Sequence, residues 1–168
     1  GRQIIGWDEI LEGGIPADAM IQSWRGMEGG IAAAKQKHGV VMSPTSHCYL
    51  DYGLDNINME KVYNFNPMPA ELSEEEGKYI RGAEGNMWTE RAPQELVDSK
   101  VFPRLLALSE VLWTAPKKRD YEAFAARVNK NYERLDQLNI KYGFPDVPLN
   151  FRSQVLPTGE VEVRAVTS

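Results

Sequence analysis

A chain of 168 residues with 42% hydrophobic, 26% charged and 10% aromatic side chains has the composition of an ordinary globular protein, long enough for one domain-sized core. Its 19 Lys plus Arg against 24 Asp plus Glu leave a formal charge of −5, which argues against nucleic acid as a partner, because a phosphate backbone calls for a basic footprint. No apolar run approaches the roughly 18 residues of a membrane span, and the single cysteine, Cys48, excludes an internal disulfide framework and a cysteine-rich zinc site.

Four segments read as short strands: Ile4–Trp7, Met20–Trp24, Val40–Pro44 and Ile80–Trp88. Each opens apolar and closes at an aromatic, an acid or a proline. Between the second and third, the alanine-rich run from Gly30 to Gly39 predicts a short helix closed by glycine, so strand, helix and strand form a parallel βαβ unit. The acidic run Glu74-Glu75-Glu76 reads as a solvated helix start. The fourth strand leads into a helical stretch, Pro93 to Thr114, interrupted near Pro103. Asp120 then caps an amphipathic helix carrying Tyr121, Phe124, Ala125, Val128, Tyr132, Leu135 and Leu138 at helical spacing, with Gly143 as its expected end. Phe144–Asn150 reads as a linker, and Glu160–Val166 alternates with period two as a half-buried strand does. A lone strand forms no domain. The expected organisation is therefore α/β, with residues 1–143 as half of a (β/α)8 TIM barrel. Residues 144–168 are expected to hold a linker and the first strand of a truncated β-rich domain. An open doubly wound sheet is the competing architecture, but no glycine-rich phosphate loop follows the first strand.

One pattern recurs at the strand ends: aromatic, any residue, acid. It appears as Trp7-Asp8-Glu9, Tyr49-Leu50-Asp51 and Trp88-Thr89-Glu90. In extended backbone, residues i and i+2 share a face, so each pair would present a ring and a carboxylate in one direction. Sugars match that combination, since their CH faces lie on rings and their hydroxyls donate to carboxylates. Barrel enzymes build their sites at the C-terminal strand ends, where Trp24 adds a further ring. A tryptophan in such a place also serves as plain packing; three ring–acid pairs at three strand ends favour a site.

Gly6-Trp7-Asp8-Glu9-Ile10, Gln22-Ser23-Trp24-Arg25-Gly26, Ser43-Pro44 with Tyr49-Leu50-Asp51, Trp88-Thr89-Glu90, and Pro103-Arg104 leading to Glu110 and Trp113 resemble, in order and spacing, the β-N-acetylhexosaminidases of glycoside hydrolase family 20. The resemblance runs to about residue 143, and the tail resembles the start of the β-sandwich that follows the barrel in some bacterial members. It implies retaining hydrolysis in which the substrate's own 2-acetamido group is the nucleophile. It also implies that Tyr49 donates its hydroxyl to the acetamido carbonyl. Trp7, Trp24 and Trp88 would wall the pocket, and Asp51 and Glu90 would accept from the outer sugar hydroxyls. The implied partners are glycans ending in N-acetylhexosamine; no cofactor or metal is called for. A periplasmic or secreted location suits a glycan-degrading enzyme, but the sequence leaves the compartment open.

The family's catalytic Asp–Glu pair lies in a His-x-Gly-Gly-Asp-Glu type motif, which does not occur here. Asp8-Glu9, the one Asp-Glu dipeptide, matches a later strand's motif instead. The chain is therefore expected to be the second half of the barrel and inactive alone, with the catalytic carboxylates upstream. Two other readings stay open: a non-catalytic sugar-binding half-barrel, and a glycosidase of another barrel family in which Asp8 or Glu9 works with Glu90. Exposed half-barrel edges would favour self-association. His38 reads as a capping or surface residue, His47-Cys48 lacks an orienting third group, Glu84 and Glu110 suit structural ion pairs, and Arg104 is read as structural.

Overall fold

The apolar runs become four short parallel strands in the computed structural model, which describes residues 1–166: β1 (Ile5–Trp7), β2 (Met20–Ser23), β3 (Val40–Met42) and β4 (Ile80–Ala83). Thr167 and Ser168 of the expected tail lie outside the described residues. The strands pair in sequence order, Ile5 beside Met20, Ile21 beside Val40 and Val40 beside Ile80. A doubly wound sheet reverses its order at a switch point, whereas an unbroken sequential order is what a barrel arc has. Ile21, Val40 and Met42 are fully buried, each contributing roughly 1.5–3 kcal/mol by leaving water.

The connections differ from the expected run of four strand–helix units. β1 passes to β2 through a 3-10 turn, Asp8–Leu11, and a loop. Only β2 to β3 crosses by one regular helix, α1 (Glu28–Lys35), which ends before Gly39 because Lys37 takes a left-handed φ of 68°. Two short helices lie between β3 and β4: α2 (Met59–Tyr63), capped by the Asn58 side chain, and α3 (Glu74–Gly77), held by a reciprocal Ser73–Glu76 capping box. The helical stretch after β4 divides at Pro103 into α4 (Val97–Val101) and α5 (Arg104–Trp113). Asp120 accepts from the Ala123 amide at 2.9 Å to start α6 (Tyr121–Gln137). That helix stops short of Gly143, with Asn139 left-handed at φ 55°.

One core joins these layers. Phe124 and Val128 of α6, Ala107, Leu108 and Val111 of α5, and Val62 and Tyr63 of α2 pack behind the sheet. Tyr63 stacks on Phe124 with ring centroids 5.0 Å apart.

The tail departs from expectation. Glu160–Val166 is not a lone strand: β5 (Asn150–Val155) and β6 (Val161–Val166) form an antiparallel hairpin. Nor is it half-buried on its apolar side, since Phe151, Val155, Val161 and Val163 are all exposed. No helix among the described residues is long and apolar enough to cross a membrane.

Candidate active site

Beyond the C-terminal ends of all four strands lies an open cleft of about 670 Å³, lined by Trp7, Glu9, Trp24, Tyr49, Asp51, Tyr52, Trp88, Glu90 and Arg91. The six residues singled out from the sequence thus meet in one place. Trp7 and Trp88, from opposite ends of the sheet order, face each other with centroids 6.0 Å apart. Trp24 and Tyr49 lie 6.4 Å apart, and Tyr52 meets Tyr49 edge-on at 5.7 Å.

The reason for their convergence is not the extended-strand geometry expected. Asp8 already belongs to a 3-10 turn, Tyr49 makes only an isolated β-bridge, and Leu50–Asp51 and Thr89–Glu90 lie in turns outside the sheet. Loops position these side chains, and specific polar contacts position the loops. Asp8 is buried and faces away from the cleft's chemistry: one carboxylate oxygen accepts from the backbone amides of Trp24 and Arg25, both at 2.8 Å. It lies against the start of α1, where the helix's free amides favour a negative charge. Gly29 permits this approach, because a Cβ there would sit 2.1 Å from Asp8 Oδ1.

Glu9 serves Trp24 rather than Trp7. Its Oε2 accepts from the Trp24 indole N–H at 3.1 Å, and its Oε1 pairs with Arg25 at 2.9 Å. The indole hydrogen bond, helped by Arg25, holds the Glu9 carboxyl below the ordinary carboxylate range. Both acids thus hold the Trp24 loop, Asp8 through backbone amides and Glu9 through the indole and Arg25.

Tyr49 is buried, and burial pushes its phenol above the ordinary range, so it is a neutral hydrogen-bond donor at neutral pH. Asp51 is also buried, with Oδ1 lacking a partner among the described residues. Trp88 is 40% exposed, and Glu90 is an exposed residue of the rim. Two lining residues escaped the sequence reading, Tyr52 and Arg91; the Arg91 guanidinium sits 4.7 Å from the Tyr52 ring centre. Their only sequence signal is adjacency, each following the acid of a ring–acid pair.

The remaining candidates lie apart from the cleft. Cys48 is fully buried, and burial drives its thiol up to about 12, which removes it as a nucleophile at neutral pH. His47 stacks on Phe65 and contacts Ser46, and His38 bonds the Ala19 carbonyl. Glu110 pairs with Arg127 at 2.6 Å, as an ion-pair role requires, but Glu84 has no such partner among the described residues, and burial raises its carboxyl pKa. No group of three or more His, Cys, Asp or Glu side chains among the described residues is placed to hold a metal ion.

The model of the glycosyl hydrolase family 20 catalytic domain matches residues 1–116. The chain belongs to that family. Family 20 relatives include a β-hexosaminidase of Porphyromonas gingivalis, 41% identical over 86% of this chain and 20% of its own length. A β-N-acetylhexosaminidase of Cellulomonas fimi is 30% identical over 84% of this chain and 32% of its own. Among solved structures, the exo β-N-acetylglucosaminidase of Vibrio harveyi, in complex with N-acetylglucosamine, superposes with a TM-score of 0.76 at 30% identity, covering 86% of this chain and 25% of that one. The Streptomyces coelicolor A3(2) enzyme gives the same TM-score at 24% identity and speaks for the fold. The sheet is thus the C-terminal half of the family 20 (β/α)8 barrel, and the chain spans about a fifth to a third of the length of these two curated relatives.

Proposed function

We propose that this chain is the sugar-gripping half of an exo-acting β-N-acetylhexosaminidase, which removes terminal non-reducing N-acetylhexosamine by substrate-assisted, retaining hydrolysis. The observation that carries the reading is the meeting of three tryptophans, a buried tyrosine and the acids Asp51 and Glu90 in one cleft at the strand ends. In this reading Trp7, Trp24 and Trp88 enclose the acetamido methyl and one sugar face, and Asp51 and Glu90 accept from the outer hydroxyls. The acetamido carbonyl oxygen attacks the anomeric carbon as the bond to the leaving oxygen breaks, giving an oxazolinium that water then opens. Tyr49, keeping its proton, donates to that carbonyl oxygen and fixes it near the anomeric carbon, converting orientation into rate.

The Asp that orients the acetamido N–H and the Glu that protonates the leaving oxygen are assigned to residues outside this chain, because Asp8 and Glu9 are both occupied in holding the Trp24 loop. Residues 1–143 and 144–168 are assigned to the half-barrel and to a following β-rich domain. The substrates are glycans ending in N-acetylhexosamine.

The test is release of chromophore from an aryl N-acetyl-β-glucosaminide. A longer protein that contains this chain and the upstream half-barrel should turn it over with retention, and the 168-residue chain should not. Turnover by the isolated chain, abolished by Glu9→Gln, would make Asp8-Glu9 the catalytic pair. Sugar binding without turnover by the longer protein would leave a recognition module. β1 and β4 each pair on one side only, so we also propose that isolated chains associate through these edges; sedimentation as a monomer over a hundredfold range of concentration would end that idea.

A further inference from the structure

Arg104 is 1% exposed and has no carboxylate within ion-pair distance among the described residues. A buried cation whose hydrogen bonds all go to neutral acceptors, with only the nearby Asp51 charge to offset its burial, is a costly way to fill core volume, so what those acceptors are matters. All are backbone carbonyls. Nε donates to Lys100 O at 2.9 Å, Nη1 to Tyr52 O at 3.1 Å and Ile57 O at 2.7 Å, and Nη2 to Leu50 O and to Lys100 O, the latter at 2.6 Å. Five contacts match the five N–H donors of a guanidinium. Three of them land on the segment 50–57, which carries the cleft residues Asp51 and Tyr52 and directly follows Tyr49.

The same segment is gripped twice more. Lys100 Nζ donates to the Asp51 carbonyl at 2.6 Å. From the β4 side, Asn86 accepts from the Leu50 amide at 2.8 Å and donates to Cys48 O at 2.7 Å, with a β-bridge between Tyr49 and Asn86. The turn presenting Tyr49, Asp51 and Tyr52 to the cleft is therefore fixed between a strand-side clamp and a cationic one at the junction of α4 and α5.

We propose that Arg104, seconded by Lys100, is a positioning residue for the cleft: it sets the place of Tyr49 and Asp51 through the neighbouring carbonyls of Leu50 and Tyr52, without touching substrate. The inference deepens the hexosaminidase reading and rests on it for its kinetic consequences, while its structural content can be measured without any substrate. Lysine cannot replace arginine here, having three donors on one nitrogen where five are used in a planar fan.

The experiment compares Arg104→Lys and Lys100→Met with the wild type in the longer protein. Hydrogen exchange read by mass spectrometry should show faster exchange in peptides covering residues 49–57 for both variants, with β2 and α6 unchanged. On an aryl N-acetyl-β-glucosaminide, kcat/KM should fall about 30- to 100-fold for Arg104→Lys, the scale of a misplacement of about 1 Å, and roughly three- to tenfold for Lys100→Met. The inhibition constant of N-acetylglucosamine, which does not depend on how much enzyme is active, should rise about tenfold for Arg104→Lys and less for Lys100→Met. Unchanged exchange at 49–57, or a lower kcat with an unchanged inhibition constant, would overturn the proposal and leave Arg104 as core support. If Arg104→Lys does not fold, Lys100→Met decides by the same readings. A wild type that neither hydrolyses nor binds the sugar would remove the hexosaminidase reading, and exchange at 49–57 would then decide the positioning role alone.

Discussion

Replacing Asp8 by alanine removes the acceptor that two consecutive amides share, while leaving the cleft's aromatic walls chemically intact. Each bond is 2.8 Å long and ends on an ionised oxygen of a residue that is 5% exposed. Hydrogen bonds to charged groups contribute about 1.5–3 kcal/mol each. The Trp24 amide is left without a partner in a partly buried place, whereas Arg25 is exposed and water can serve its amide. The full value therefore applies to one bond and a reduced value to the other, giving a loss of about 2–4 kcal/mol. For a chain of this size each kcal/mol lowers Tm by roughly 2–4 °C, so a drop of roughly 5–15 °C is expected. Asp8→Asn, which can still accept but without charge, should lie between alanine and the wild type. The assay is urea unfolding of the 168-residue chain followed by far-ultraviolet circular dichroism and by tryptophan fluorescence, at a concentration where it is monomeric. A loss under about 1 kcal/mol for Asp8→Ala would refute the clamp as the element that holds the Trp24 loop.

Gly29→Ala tests the same clamp from the helix side. Its Cβ would meet Asp8 Oδ1 at 2.1 Å and Ser23 Oγ at 3.2 Å, and a short carboxylate tied to two amides has nowhere to swing. Overpacking of roughly 1–3 kcal/mol should exceed the gain of about 1 kcal/mol from helix propensity, so thermal unfolding should show net destabilisation. Glu9 is held ionised in the folded chain, and a depressed carboxyl contributes stability above its unfolded value that is lost as pH falls through the folded one. Trp24 emission should therefore change in an acid transition below the ordinary carboxylate range, and Glu9→Gln should lack that transition. Cys48, fully buried with its thiol driven up to about 12, should resist a thiol-reactive dye in the native chain and react once urea unfolds it. In the longer protein, Tyr49→Phe should lower kcat by about 100- to 1,000-fold, the usual penalty for losing one donor to a developing charge.

The strand cores were legible because burial on both faces demands apolar runs, and Ile21, Val40 and Met42 satisfy it. The end of β4 was not. Gly82 takes φ 147° and the pairing with β3 shifts between Val40 and Val41, so the chain leaves the sheet after Ala83 rather than running on to Trp88. α2 spans five residues, too few for a helical period to show. β5 went unread because its sequence, Asn150–Val155, holds only two apolar residues, Phe151 and Val155, with Ser153 between them on the same face. At the cleft, ring and acid composition pointed to the right residues for the wrong geometric reason. Trp7 and Glu9 look like partners in sequence, but Glu9 bonds the indole of a residue fifteen positions away. Pairings of that kind depend on how loops fold back, which no local spacing encodes.

The segment after α6 has less slack than its composition suggests. Gly143 donates to Phe102 O at 3.0 Å, Pro145 O accepts from the Met59 amide at 2.8 Å, and Asp146 Oδ1 accepts from Asn58 Nδ2 at 3.2 Å and from the Val147 amide at 2.7 Å. Of the seven residues that read as a tether, Pro145 and Asp146 are tied to the start of α2 and Val147 is held by Asp146, leaving Pro148 and Leu149 before β5 begins. Two residues reach about 7 Å when fully extended. The hairpin is accordingly leashed to a fixed mooring point on the barrel wall, and anything fused behind it inherits that anchorage instead of a free swing.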